Sequence, residues 1–435
     1  MAAGILRRVP RVAPRFETGA SGLAPLCYTA PEFHALEVER IFRTQWLLVG
    51  RADEVERPGD YFCVDVAGEP LVVVRGADRE VRVLSRVCRH RSMLVVEGAG
   101  QTHRFACPYH AWTYDLEGRL VSAPYMDRTA GFDAARCRLP EVRSETWEGF
   151  VFVTFDPAAP PLAPSLAKLA TLLRGYGLAT MKTVARVSFE MDCRWNWKLM
   201  CDNFMEPYHH VGTHRASLEP LMPARMSEPL DGDGAYSVVY MHQRAGGGDG
   251  YGAPVLPVLE GLTEAERRRA VLVHVFPNGL ISVYPDHMEF YRTFPDGPDR
   301  TRLEKLMCVP PAVASRPAFE AEMRRVVRGF EEIRDEDVAV CLAVQRGLAA
   351  GLAKGSPLCY LEKPIWRFAR WVDGLVRASR PRTLLGSPPE SDMSEEPRAR
   401  RRGTGKGGSS RSERRLRRRL RGGKSGGSSE TPLKF

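Results

Sequence analysis

The sequence predicts an α+β protein of two domains, a small antiparallel β-domain followed by a larger domain of strands and helices, with a basic tail beyond them. Three observations predict it. The chain has 435 residues, enough for more than one core, and its 43% hydrophobic and 27% charged residues are typical of globular proteins. Short runs rich in Val and Tyr, punctuated by glycine, recur along both halves. Helical periodicity is confined to a few segments, one of them long.

Charge separates the tail from the rest. The net charge of +10 suggests a nucleic-acid partner until it is located. Residues 379–435 hold 16 Lys and Arg against 6 Asp and Glu, and the 378 residues before them hold 47 of each sign. The folded part is neutral, so no nucleic-acid partner is expected. The tail should be disordered, with only a weak pull towards anionic surfaces from Arg414–Arg421. Its GTGKGG and GGKS fragments do not fit a phosphate loop.

Ten cysteines without a secreted-type framework point to a reducing, cytoplasmic setting. The longest run free of charged residues, Ala270–Pro285, is too short for a membrane span and contains His274, Pro277 and Asn278. The first residues carry Arg7, Arg8, Arg11 and Arg15 with no secretory apolar core. They read as a frayed basic N-terminus, with a mitochondrial presequence as the lesser alternative.

Residues 1–39 form an N-terminal segment and the start of a lead-in helix over 32–47, with Phe33, Leu36, Val38, Ile41 and Trp46 for a buried face. The first domain spans 40–155. Its strand-like runs are YFCVDV, PLVVVRG and VRVLSRV, set off by Gly59, Gly68 and Gly76. Two loops follow, each offering one thiolate and one imidazole: Cys88 with His90, and Cys107 with His110, separated by 16 residues. Two Cys and two His suit the two irons of a Rieske [2Fe-2S] centre, whose imidazoles raise the potential to roughly −150 to +300 mV. They also suit one structural zinc, but zinc modules favour a Cys pair followed by a His pair over mixed pairs. His103, between the loops, reads as an exposed histidine.

The second domain spans 156–378. A proline-rich connector, DPAAPPLAPSLA, leads to a helix ending near Gly175. A strand then runs into Arg194–His214, RWNWKLMCDNFMEPYHHVGTH. This run holds three of the ten histidines and two acids. Two His with one carboxylate suit a mononuclear Fe(II) with open positions, against the plainer reading of a solvated His cluster. Helical spacing selects His210 and His214, but Pro207 breaks the ladder and pushes Glu206 out of the helical region, so that spacing is unsafe here. Further strands are expected at AYSVVYMHQ, AVLVHVFP, GLISVYP, MEFYRTFP and TRLEKLMCVP. The glycine-rich loop over 244–257 reads as a surface excursion. A long helix spans about Pro317–Ala353 and contains FEEIRDEDVAVCLAVQRGL. It supplies acids for a third ligand or, more plainly, a solvated acidic helix face. His242, His274 and His287 read as structural.

Both motifs, in this order, resemble those of Rieske-type ring-hydroxylating oxygenase alpha subunits over about residues 25–375. CRHRSMLV and CPYHAWTYDLEGRL resemble that family's cluster loops, with Arg89 and Ser92 in place of the commoner proline and glycine. N-W-K, D-N, acid-x2-H-x4-H resembles its iron motif. The resemblance implies a Rieske β-domain followed by a helix-grip (START-like) catalytic domain. It implies cluster ligands Cys88, His90, Cys107 and His110, and iron ligands His209, His214 and Asp337, with His210 and Asp335 in reserve and Glu336 less expected. It implies a homotrimer in which Glu206 bridges His90 or His110 of a neighbouring chain to His209. No dinucleotide or ferredoxin motif is present, so electrons from NAD(P)H are expected through a separate reductase, and in some systems a ferredoxin. The expected reaction with O2 is hydroxylation, dihydroxylation or oxidative demethylation of a small organic substrate, an aromatic one first. Phe290, Tyr291 and Phe294 are candidate pocket rings. The alternatives are a Rieske electron carrier, a zinc-bound module, or a quaternary-amine monooxygenase.

Overall fold

The computed structural model describes residues 2–188, 193–244 and 254–378. The basic tail and most of the glycine-rich loop lie outside the described residues. Within them the expected α+β arrangement is present. The first β-domain is a seven-stranded sheet in the order Leu47–Arg51, Phe150–Thr154, Glu141–Trp147, Val81–Ser85, Glu69–Arg75, Asp60–Val66 and Ala99–Gln101. Beside it lies a small sheet of Phe105–Ala106, Thr113–Tyr114 and Leu120–Ser122.

The second domain is built on an antiparallel sheet of seven strands. Lys182–Ser188 pairs with Thr301–Val309, followed by Met288–Pro295, Gly279–Val283, Arg269–Val275, Tyr236–His242 and Ser227–Leu230. Alternation along each strand divides its side chains between two cores. Phe290, Leu306, Ile281 and Val273 face a core shared with Phe150 and Phe152 of the first domain. Tyr291, Leu303 and Met307 face the helices Trp197–Met205, Phe319–Leu348 and Lys363–Arg377.

Buried polar contacts join the domains. The Asn278 side-chain amide accepts from Leu48 N–H at 3.0 Å and donates to Leu48 C=O at 2.9 Å, all of it buried. Arg51, also buried, donates to the carbonyls of Leu178 and Met181 and pairs with Asp53 at 2.7 Å. This guanidinium explains Gly149, where a Cβ would stand 2.6 Å from Arg51 Nη2.

Three expectations need correction. The N-terminus is not frayed: Ala2–Arg8 is a helix, and Ile5 and Val9 are buried in the core, because arginines on its outer side leave apolar residues for the inner one. The lead-in helix stops near Phe42 after a widened π-turn, so Trp46 lies beyond it and donates from Nε1 to the Pro160 carbonyl instead. Phe290 packs edge-on to Phe150, 5.3 Å between centroids, on the sheet face away from the helices. The helix Lys363–Arg377 went unread, although Pro364 near its start and Ile365, Phe368, Val372 and Val376 at helical spacing announce it. No helix among the described residues is long and apolar enough to cross a membrane.

Asn278→Ala should leave both Leu48 groups buried without partners. We expect a loss of about 3 kcal/mol in urea unfolding, with the two-domain transition becoming less cooperative.

Candidate metal centres

The two Cys–His loops have the same local build. Ser92 N–H returns to Cys88 C=O at 3.1 Å, and Ala111 N–H returns to Cys107 C=O at 3.0 Å. Ser92 and Ala111 each sit at φ of 56°, a left-handed conformation that glycine adopts most cheaply. Both thiols are buried and both imidazoles exposed. The His90 and His110 rings lie 4.7 Å apart, and His90 stacks on Trp112 at 4.8 Å. Tyr114 Oη lies 3.3 Å from Cys88 Sγ and accepts from Arg89 N–H at 3.0 Å.

A single zinc would need all four donor atoms within about 4.6 Å of one another, given bonds of about 2.0–2.3 Å. Among the described residues, only His209, His214 and Asp337 form a group of three or more donors lying within 4.8 Å of one another. The four loop residues therefore fit a binuclear cluster better than one ion. Buried thiols and outward imidazoles also suit a cluster with one iron on each pair.

The second centre starts from a break in the chain. Asn196 caps the helix Trp197–Met205 through Lys198 N–H, and its own N–H donates to Gln345 Oε1 at 2.9 Å. The helix ends at Glu206, which is extended (φ −124°, ψ 111°), and Pro207 opens a 3-10 turn through Val211. That turn brings His209 back onto Glu206. Its N–H donates to Glu206 Oε2 at 3.0 Å, and its Nδ1 lies 2.6 Å from Glu206 C=O and 3.0 Å from Oε1. His214 Nδ1 lies 2.7 Å from Glu336 Oε2, which also accepts from Ser217 Oγ at 2.6 Å. Carboxylates only accept, so each Nδ1 carries a hydrogen, and each Nε2 is the nitrogen that meets Asp337, as an N–H donor without a metal and as a ligand with one.

Both Nε2 atoms point at one carboxylate. His214 Nε2 lies 3.1 Å and His209 Nε2 3.6 Å from Asp337 Oδ1. Asn203 Nδ2 donates to the same oxygen at 3.1 Å. Burial would raise the Asp337 pKa, but the His214 contact, the His209 and His214 charges and Asn203 together hold it below its usual value. Two imidazoles and a carboxylate converging in this way form a donor set with metal-ligand spacing, and Fe(II) suits its composition.

His210 lies outside this group. Its Nδ1 lies 3.0 Å from the Met222 carbonyl, and burial, with His209 and His214 adding to it, pulls its pKa down to about 3. Asp335 is 70% exposed and pairs with Arg334. His274 Nε2 bonds the Pro277 carbonyl at 2.7 Å. His103 is exposed. A cavity of about 350 Å³ opens beside Glu206 and His209, lined also by Tyr28, Asp202 and Cys341. Asp202 is half-buried there, and desolvation pushes its pKa up to about 7 although Tyr28 Oη donates to it at 2.7 Å.

Residues 45–138 match the family model for the Rieske [2Fe-2S] domain. Residues 179–378 match that for the ring hydroxylating alpha subunit (catalytic domain). The chain belongs to the Rieske ring-hydroxylating oxygenase alpha subunits. Such an alpha subunit is a non-haem iron oxidoreductase that carries a Rieske [2Fe-2S] cluster and a mononuclear iron. This oxygenase alpha subunit is 26% identical over 358 residues to the chloroplastic choline monooxygenase of Arabidopsis thaliana, covering 78% of this chain and 79% of that one. It is 32% identical over 205 residues to the alpha subunit of benzene 1,2-dioxygenase of Pseudomonas putida, an alignment that takes in only 45% of the latter. In fold it is similar to a quaternary ammonium Rieske monooxygenase, with a TM-score of 0.73 at 23% identity over 85% of this chain and 100% of the other.

Sequence reasoning missed the parts of Glu336 and Asn203. Glu336 stood as the least expected ligand, but it faces His214 Nδ1, the nitrogen turned away from Asp337. The neighbouring acid on the helix gave no signal of this, since its partner is 122 residues away.

Two outcomes check this geometry. His209→Ala should lose mononuclear iron while keeping acid-labile sulfide, and His210→Ala should keep both, each read by metal and sulfide analysis. Ser92→Gly should relieve the left-handed strain and stabilise the cluster loop by about 1 kcal/mol, read as a higher melting temperature of the holo form.

Proposed function

We propose that this alpha subunit is the terminal oxygenase of a quaternary-ammonium monooxygenase. The observation that carries the oxygenase reading is the convergence of His209 Nε2, His214 Nε2 and Asp337 Oδ1, with each outer nitrogen held by a carboxylate. It also argues against a bare electron carrier, which has no use for a second donor set. In this proposal Cys88 and Cys107 hold one cluster iron, His90 and His110 the other, and His209, His214 and Asp337 hold Fe(II). When bound, the cluster supplies electrons and the mononuclear iron supplies oxygen activation.

The chain's own residues set the geometry. Glu206 and Glu336 fix the tautomers and ring planes of His209 and His214. Asn203 holds the near oxygen of Asp337. In this proposal Glu206, which is 13% exposed, meets a ligating imidazole of a neighbouring copy in a homotrimer with inter-subunit electron delivery. Oxygenase-subunit relatives imply a reductase partner and an oligomer. We take NAD(P)H as the electron source through that reductase, with or without a ferredoxin. We take residues 40–155 and 156–378 as the two domains. None of the ten cysteines is in a disulfide, and the eight that do not hold the cluster in this proposal are free thiols, which supports a cytoplasmic place of action.

The sequence alone leans towards an aromatic substrate. The similarity to choline monooxygenase over most of both chains favours the quaternary amine instead. A second reading, dihydroxylation of an aromatic ring, rests on the shorter similarity to the benzene dioxygenase subunit.

With a compatible reductase and NADH, we expect oxygen uptake coupled to loss of a trimethylammonium compound. The holoprotein should contain about three irons per two sulfides. Turnover of benzene or naphthalene with no uptake on any quaternary amine would contradict the substrate class. About two irons per two sulfides, unchanged by added Fe(II), would contradict the oxygenase reading.

A further inference from the structure

The large apolar side chains left exposed among the described residues fall into two groups. Met93 and Tyr109 lie in the cluster loops, with Val121 on the small sheet beside them and Tyr125 just after it. The second group belongs to the cavity of about 350 Å³ beside Glu206. Val344 lines it, and Tyr208, Val211, Leu352 and Tyr360 stand within two residues of its lining residues His209, Lys354 and Leu358. Single exposed apolar residues need no explanation, but grouped ones with aromatic rings among them mark interaction surfaces.

Each group also carries a charge, and the two are opposite in sign. Arg91 follows His90, and its guanidinium lies over the Tyr109 ring at 5.3 Å. It is exposed and forms no ion pair among the described residues. In the cavity Asp202 is half-buried, and Tyr28 Oη donates to its Oδ2 at 2.7 Å. The Lys198 ammonium acts on Asp202 through space, but it makes its ion pair with Glu37, at 2.6 Å. Lys354, the cation in the cavity lining, is exposed and forms no ion pair among the described residues. Asp202 stands one helical turn before Glu206, and both line the cavity, so its wall is anionic there. A half-buried carboxylate without a paired cation carries an uncompensated desolvation cost.

We propose that the cavity receives the cluster loops of a second copy of this chain, and that Arg91 of that copy pairs with Asp202. An arginine suits the place, since its planar fork can donate to a carboxylate while its face stays on the Tyr109 ring. The exposed apolar residues of both groups close around the pair and keep water from it. Asp202 is then a residue of the subunit boundary, and the pair holds the cluster loops in register over Glu206. The contact joins two different faces, so it is heterologous and closes only as a ring of copies. This pairing rests on the homotrimer reading above and goes beyond it in naming what enters the cavity.

The test is sedimentation velocity on the full-length holoprotein and its charge-reversed variants. The wild type should sediment as a trimer. Arg91→Glu and Asp202→Lys should each weaken association by about thirtyfold. The chain carrying both reversals should recover to within about threefold of wild type. Lys354→Met should leave association within about twofold of wild type. The visible spectrum of the cluster reports that each variant is folded. A wild type that stays monomeric overturns the homotrimer reading and the pair with it. A trimer that neither single reversal weakens overturns the pair and leaves the homotrimer reading standing. Failure of the double reversal to restore association does the same. Where a reversal does not fold, proximity is read instead, with photoreactive benzoylphenylalanine in place of Met93 in isotope-labelled chains mixed with unlabelled ones. Cross-links between copies should fall on residues 199–211 or 340–365, and cross-links confined to other segments overturn the pair.

Discussion

Two imidazole Nε2 atoms face one carboxylate oxygen inside this protein, and much of the catalytic domain is arranged to keep them there. His209 and His214 cannot turn their outer nitrogens inwards, because Glu206 and Glu336 hold them. Burial would lower the His209 pKa, but Glu206 and Asp337 raise it to about 8, so without a metal these contacts are ion pairs. A metal would replace the protons on the same donor atoms, and the rigidity of the supports sets how well an open-sided iron site could be maintained.

Those supports reach far from the centre. The helix Trp197–Met205 is tied at its start to the long helix through Asn196 and Gln345, and Gln345 Nε2 reaches the Tyr28 carbonyl at 3.3 Å. Lys198 and Glu37, both fully buried, pair at 2.6 Å and fasten that helix to the N-terminal segment, with Trp197 Nε1 donating to the same carboxylate. The first domain is locked to the sheet by Asn278 and Arg51. The cluster loops pack on a core of their own, and buried polar contacts together with apolar packing hold the two domains to one another.

Much of this was legible in the sequence, and what was not has a physical reason. Alternating strands and mixed Cys–His pairs depend on local spacing and could be read directly. Pro207 announced the break that puts Glu206 in an extended conformation. The choice between His209 and His210 could not be made from spacing, because the 3-10 turn after Pro207 replaces the four-residue repeat that favours His210. Asp337 was legible in principle: it falls on the stripe of Phe330, Ile333, Cys341 and Gln345 that the long helix buries, whereas Asp335 falls on the outer side. Glu336 and Asn203 gained their parts from partners distant in sequence, and no periodicity encodes that. The aromatic expectation had a similar weakness. It treated Phe290 and Tyr291 as equivalent, although neighbours on a strand face opposite ways.

The most direct test of the central claim is Mössbauer spectroscopy on dithionite-reduced protein enriched in 57Fe. Two kinds of iron centre in one chain predict about one third of the absorption from a mononuclear high-spin Fe(II) and the rest from a cluster with inequivalent irons. The mononuclear component should be lost on His214→Ala while the cluster pair remains. A spectrum of the cluster pair alone, with the His209–His214–Asp337 site occupied by zinc or by no metal in protein grown with ample iron, would contradict the account.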